Sequence, residues 1–129
     1  MMIGKLLVLS GPGGVGKSTI SREVRKDSRF WLSVSYTTRA ARTNEVDGLD
    51  YHFISAAKFD ELIATDAFLE HAAFAGAKYG TPLAAVEAAI KSGKHVLLEI
   101  EIAGARQIRR AEPQALLVFI SPPSWEDLV

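Results

Sequence analysis

The chain has 129 residues, 48% hydrophobic and 23% charged, which is ordinary for one globular domain long enough to bury a core. Fifteen basic residues balance fifteen acidic ones. No global field therefore draws the protein to nucleic acid or a membrane surface, and any anion it binds must be caught by a local arrangement. There is no cysteine, which removes disulfides and thiolate metal sites and is compatible with a reducing compartment.

In chain order, the apolar run Lys5 to Ser10 ends at a glycine cluster and reads as a buried strand. Its apolar stretch is too short for a signal-peptide core or a membrane span, so a cytoplasmic protein is the expectation. Ser18 to about Lys26 has helical composition, with Ile20 and Val24 at helical spacing. Phe30 to Val34 reads as a second strand, the polar stretch Ser35 to Asp50 as a loop, and Tyr51 to Ile54 as a short strand. Ser55 is placed to cap a helix running through Phe59, Leu62 and Ile63.

Phe68 to Phe74 and Lys78 to Thr81 read as short strands around Gly76. A helix is expected over Pro82 to Ser92, with the proline in its first turn and Gly93 just past its end. His95 to Ile100 is again a buried strand, Ala103 to Ala111 a helix and Leu116 to Ile120 a strand broken by Pro122-Pro123. Buried strands alternating with helices predict an α/β fold with a parallel sheet, of the P-loop NTPase type. The middle third departs from that rhythm. Residues 1–34 and 82–129 are expected to form the core, and 35–81 an inserted mixed α+β substrate-binding subdomain.

The strongest motif is Gly11-Pro12-Gly13-Gly14-Val15-Gly16-Lys17-Ser18, a full match to G-x-x-x-x-G-K-[ST] between a strand and a helix. Glycines allow backbone N–H groups to converge on phosphate oxygens, and the following helix adds its positive end; Gly11 to Ser18, with Thr19, are the residues expected to bind the ATP phosphates. Lys17 is expected to reach the β- and γ-phosphates of ATP, and the Ser18 hydroxyl to ligate Mg²⁺. A second cluster follows in Ser33-Val-Ser-Tyr-Thr-Thr-Arg39-Ala-Ala-Arg42. Guanidinium forks beside hydroxyl donors suit another phosphate, although two arginines in a polar loop are by themselves most often just solvated.

Further stretches complete a pattern: Glu45-Val-Asp-Gly48, Asp50-Tyr51-His-Phe53, Phe68-Leu-Glu70, Tyr79-Gly-Thr81, Leu98-Glu-Ile-Glu101, Gly104-Ala-Arg-Gln-Ile108 and Phe119-Ile-Ser-Pro-Pro123. In that order, and over nearly the whole chain, the sequence resembles the guanylate kinase family. The resemblance implies ATP-dependent phosphorylation of GMP to GDP, with ATP and GMP as the small-molecule partners and Mg²⁺ as cofactor. It assigns Ser35, Arg39, Arg42, Tyr51 and Tyr79 to the GMP phosphate, and Glu70, Thr81 and Glu101 to guanine. Arg39 joins Lys17 in neutralising the transferred phosphoryl group.

The residue chemistry agrees with those assignments. Guanine presents two donors beside the O6 acceptor, so an ionised Glu70 accepts from both while the Thr81 hydroxyl donates to O6. Glu99 and Glu101, two apart at the end of an apolar strand, point to one side. Glu99 suits Mg²⁺ through water, and Glu101 the base. His52, His71 and His95 lack metal-ligand spacing, and Arg106, Arg109 and Arg110 read as a solvated helix face.

Family members continue past the Pro-Pro-Ser segment with an arginine-rich lid, adenine contacts and a last strand. This sequence stops at Trp125-Glu-Asp-Leu-Val129, which is read here as a truncated portion. Two alternatives stand beside the kinase: a guanylate-kinase-like binding module that has lost catalysis, and a related P-loop kinase of a phosphorylated sugar. Oligomeric state is left open.

Overall fold

The computed structural model describes residues 4–11, 17–100 and 102–120, with 17, 18 and 102 as backbone. Its contacts divide the chain into two units, Met1–Leu32 with Ala88–Val129, and Ser33–Glu87.

The first unit is built on a four-stranded sheet. Its strands are β1 (Leu6–Ser10), β2 (Phe30–Leu32), a strand at His95–Glu99 that is β7 in chain order, and β8 (Leu116–Phe119). The sheet order is β2-β7-β1-β8 and every pair is parallel. The two central strands are apolar in continuous runs, and Leu6, Val8, Leu9, Val96, Leu97 and Leu98 are all buried. Such runs belong to a parallel sheet covered on both faces, where alternation would leave polar groups inside. Helix α1 (Lys17–Arg25) packs against β2 and β7, and α4 (Ile102–Ala111) against β1. Helix α4 buries a stripe of Ala105 and Ile108 and exposes Arg106, Arg109 and Arg110, so the solvated face expected for those arginines is present.

The second unit carries a smaller mixed sheet. Strands β3 (Tyr36–Thr37), β4 (His52–Phe53), β5 (Phe68–Phe74) and β6 (Ala77–Pro82) lie in the order β4-β3-β6-β5. Strand β3 falls inside the stretch that composition marks as loop. It is only two residues long and is fixed by its partners, Tyr36 opposite Gly80 and Thr37 opposite Tyr79. Helix α2 (Ala56–Ala64) begins at Ser55, whose hydroxyl accepts from the Lys58 N–H, as the sequence predicts. Its Phe59 is wholly buried and packs 4.7 Å, centroid to centroid, from the ring of Phe68.

Helix α3 (Leu83–Lys91) starts later than the sequence suggests. Pro82 closes β6 instead of opening the helix, because it still pairs with Phe68 across the sheet. The far end is as read. Gly93 has φ +92°, its N–H donates to Ile90 O, and the Lys94 N–H donates to Ala89 O. That is the two-bond glycine stop of a helix C-terminus. Among the described residues no helix is long and apolar enough to cross a membrane.

Candidate active site

In the first unit the chemistry gathers at the carboxyl ends of the parallel strands, where ligands of open α/β sheets bind. Strand β1 delivers Gly11 there with φ +151°, and a Cβ at this position would collide with the Ile120 carbonyl at the end of β8. Only glycine lets the chain leave the sheet at that point. Pro12 to Gly16 and Glu101 lie outside the described residues. Lys17 and Ser18 form the first residues of α1, and Thr19 is exposed.

Glu99 ends β7 beside Leu9 of β1, exposed, with its Oε2 accepting from the Ser21 hydroxyl at 2.9 Å. Ser21 itself is buried on α1. Nothing local in the sequence marks this serine, since 78 residues separate it from its partner. Among the described residues the Ser21 hydroxyl is the hydrogen-bond partner of this carboxylate; a carboxylate so held, near a helix that begins with Lys17-Ser18, suits Mg²⁺ carried on phosphates with its own waters.

In the second unit the site is written by strand alternation. Tyr79 and Thr81 are two apart on β6 and share a face. Glu70 of β5 lies directly opposite Thr81, after an irregularity in the pairing between Phe68 and Glu70. The other face carries Tyr36, Phe68 and His71, with Phe68 packed over Gly80 and against Phe59 of α2. That face is the unit's apolar core, so Glu70, Thr81 and Tyr79 are turned away from it.

Glu70 is 5% exposed and Thr81 is fully buried, and the Thr81 hydroxyl donates to Glu70 Oε1 at 2.6 Å. Burial pushes the Glu70 carboxyl above its ordinary value, and the Thr81 donation draws it only part of the way back. A buried carboxylate whose partner among the described residues is one hydroxyl is short of donors, and it is satisfied best by a ligand that brings N–H groups.

The phosphate candidates form a second group. The Arg39 guanidinium stands 5.3 Å from the centroid of the Tyr51 ring and 5.8 Å from that of Phe53, and the Tyr51 and Tyr79 rings meet edge-on at 5.9 Å. Its Nη1 and Nη2 donate to Glu45 Oε1 and Oε2 at 2.7 and 3.0 Å. The bond to Arg39 is the main cause that holds the Glu45 carboxyl at about 2, with the Arg42 N–H next. Glu45 in turn raises the already high Arg39 value. Ser35 is held at the sheet margin through its carbonyl, which accepts from the His52 N–H. Arg42 is exposed and joins the group through its N–H, which donates to Glu45 Oε1 at 2.8 Å. Thus Arg39, Tyr51 and Tyr79 are brought together, as are Glu70 and Thr81. Glu45 is a further member of this group, one to which its sequence context alone assigns no task.

The family model described as Guanylate kinase matches residues 3–129. The chain belongs to the guanylate kinase family. A guanylate kinase of Trichormus variabilis is 57% identical over 126 residues, covering 97% of this chain and 63% of that protein. One from Thermobifida fusca is 53% identical over the same length, covering 97% and 64%. Among solved structures, the guanylate kinase of Anaplasma phagocytophilum superposes with a TM-score of 0.87 at 35% identity, over 98% of this chain and 65% of that one. The α/β P-loop-type fold is thereby the family's own. The chain spans less than two thirds of the length of these curated relatives.

Proposed function

We propose that the protein is an ATP:GMP phosphotransferase, converting GMP to GDP in purine nucleotide metabolism in the cytoplasm. The observation that carries this reading is the buried Glu70–Thr81 pair on a sheet face turned away from its own core, in a member of the guanylate kinase family. Guanine N1–H and its 2-amino group would supply the donors that Glu70 lacks, and the Thr81 hydroxyl would turn to O6. Adenine offers an unprotonated N1 at the matching place, leaving two acceptors face to face, and a site built around hydrogen bonds rejects such a mismatch strongly. Glu101 would add a further contact to the base.

The GMP phosphate falls to Ser35, Arg39, Arg42, Tyr51 and Tyr79. The ATP phosphates fall to the loop Gly11, Pro12, Gly13, Gly14, Val15, Gly16, Lys17, Ser18 and Thr19. In the transfer, an oxygen of the GMP phosphate bonds to the γ-phosphorus as the bond from that phosphorus to the β-bridging oxygen breaks, releasing ADP. No general base is needed, because the attacking oxygen is already ionised. Lys17 and Arg39 spread positive charge over the migrating phosphoryl group. Ser18 and, through water, Glu99 would hold Mg²⁺, which supplies charge neutralisation on the phosphates when bound. The intact phosphate-loop sequence weighs against a binding module without catalysis. Assaying the full-length protein with ATP, Mg²⁺ and each nucleoside monophosphate tests the reading; faster phosphorylation of AMP or UMP than of GMP would overturn it.

A further inference from the structure

Arg39 has five N–H donors, and their use is uneven. Nη1 donates both of its hydrogens, to Glu45 Oε1 and to the Ala40 carbonyl at 3.0 Å. Nη2 gives one to Glu45 Oε2. Glu45 therefore occupies the end-on fork of the guanidinium. What remains is the side edge, Nε–H together with the second Nη2–H; the Tyr79 hydroxyl is a further partner of the guanidinium, and among the described residues no carboxylate or carbonyl is bonded to this edge. The same chain shows what that edge can do. In Arg29, Nε donates to both oxygens of Asp27 at 3.0 and 3.1 Å while Nη2 donates to Oδ2 at 2.6 Å.

We propose that Glu45 is a positioning residue for the acceptor phosphate: it holds Arg39 by the end-on fork so that the side edge is presented to the phosphate monoester. The proposal rests on the GMP-kinase reading. Glu45 is a permanent second partner of the guanidinium, and the phosphate does not have to displace it. Three observations support a held arrangement. The guanidinium is stacked near two aromatic rings. Both side chains of the pair are about four-fifths buried, at 18% and 19% exposure. Glu45 is also braced from its own backbone, because its N–H donates to Arg42 O while its carboxylate accepts from the Arg42 N–H. That reciprocal turn fixes the loop carrying the second arginine, so one carboxylate sets the direction of Arg39 and the path of Arg42. A planar fork held in place loses less freedom on binding than a free one.

Calorimetric titration of the full-length protein with GMP and with guanosine, which lacks the phosphate, tests this. Wild type is compared with Glu45→Gln, which keeps the size and one acceptor but loses the charge and the bidentate grip. The expected result is a GMP affinity weakened about tenfold, the scale of one hydrogen bond to a charged group. Guanosine affinity should stay within about twofold, since the base contacts are untouched. In turnover, KM for GMP should rise by a larger factor than kcat falls. Unchanged or tighter GMP binding by the variant would overturn the proposal, the latter by making Glu45 a competitor of the phosphate. Equal loss for GMP and guanosine would also overturn it, by reducing Glu45 to a residue of the fold. A wild-type protein that binds neither ligand would remove the kinase reading itself, and the two failures are told apart by the wild-type titration alone.

Discussion

Replacing Glu70 by glutamine should push stability and function in opposite directions. In the free protein, burial holds the Glu70 carboxyl above its ordinary value. Below the ordinary glutamate value the group is protonated both folded and unfolded, and its burial carries no charge penalty. As pH rises through the raised folded value, the folded protein must ionise a buried group that the unfolded chain ionises freely, and stability is lost. Glutamine is neutral throughout and its carbonyl can still accept from the Thr81 hydroxyl, which now bonds Oε1 at 2.6 Å. Glu70→Gln should therefore melt higher than wild type once pH passes that folded value, and the advantage should vanish in acid.

With GMP the sign reverses. One N–H of guanine that met a carboxylate oxygen now meets an amide N–H. A charge-assisted bond of about 1.5–3 kcal/mol is lost, and a buried donor left unpaired costs about 1–3 kcal/mol more. The sum, about 2.5–6 kcal/mol, is a fall of roughly two to four powers of ten in kcat/KM for GMP. Melting curves across pH and steady-state turnover of the full-length protein with GMP supply both readings. A variant less stable at neutral pH, or one that phosphorylates GMP within about threefold of wild type, would refute the argument from buried charge.

Other perturbations have equally specific outcomes. Gly80→Ala would set a Cβ 2.6 Å from two carbons of the Phe68 ring, and should lose about 1–3 kcal/mol in urea unfolding by overpacking the core face of the small sheet. Gly11→Ala sets a Cβ against the Ile120 carbonyl on a backbone that disfavours side chains; it should lower ATP affinity and the melting temperature together, as fluorescence titration and thermal melts would reveal. Ser21→Ala releases Glu99 Oε2. It should raise the Mg²⁺ concentration for half-maximal activity at least about tenfold while leaving KM for GMP unchanged, the pattern of a partner that orients a metal-binding group.

What could be read from the sequence followed the local signals. Ser55 announces its helix because the cap is a contact between neighbours, and Gly93 announces an ending for the same reason. The central strands show themselves by apolar runs that only a doubly covered sheet tolerates. Strand β3 is hidden, since two residues carry no periodicity and only pairing with β6 and β4 makes Tyr36–Thr37 a strand. Pro82 misleads, because a proline suits both a helix's first turn and a strand's last residue, and the deciding partner is Phe68 across the sheet. The site divides likewise. Glu70 and Thr81 were legible as a family pattern, but their direct contact is a matter of register. Glu45 and Ser21 carry no local signal, because their partners are set by the closure of a loop and by the meeting of a helix with a distant strand. Neither spacing has a period to read.

The hairpin that joins β5 to β6 turns on Ala75 and Gly76, with φ of +51° and +80°, between Phe74 and Ala77, which face each other. Two successive residues of positive φ make the tight connection whose twist matches its strands. Everything along the hairpin is counted from that tip, and the count has parity. Removing one residue between Glu70 and the tip would turn the carboxylate through the sheet, into the layer held by Phe59, and bring the Leu69 side chain to where the base would be read. On the proposed function, base selection would therefore be stored as an even or odd number. Changes in length along β5 should survive in such a protein only in twos, or beyond the turn's reach, whatever residues they bring.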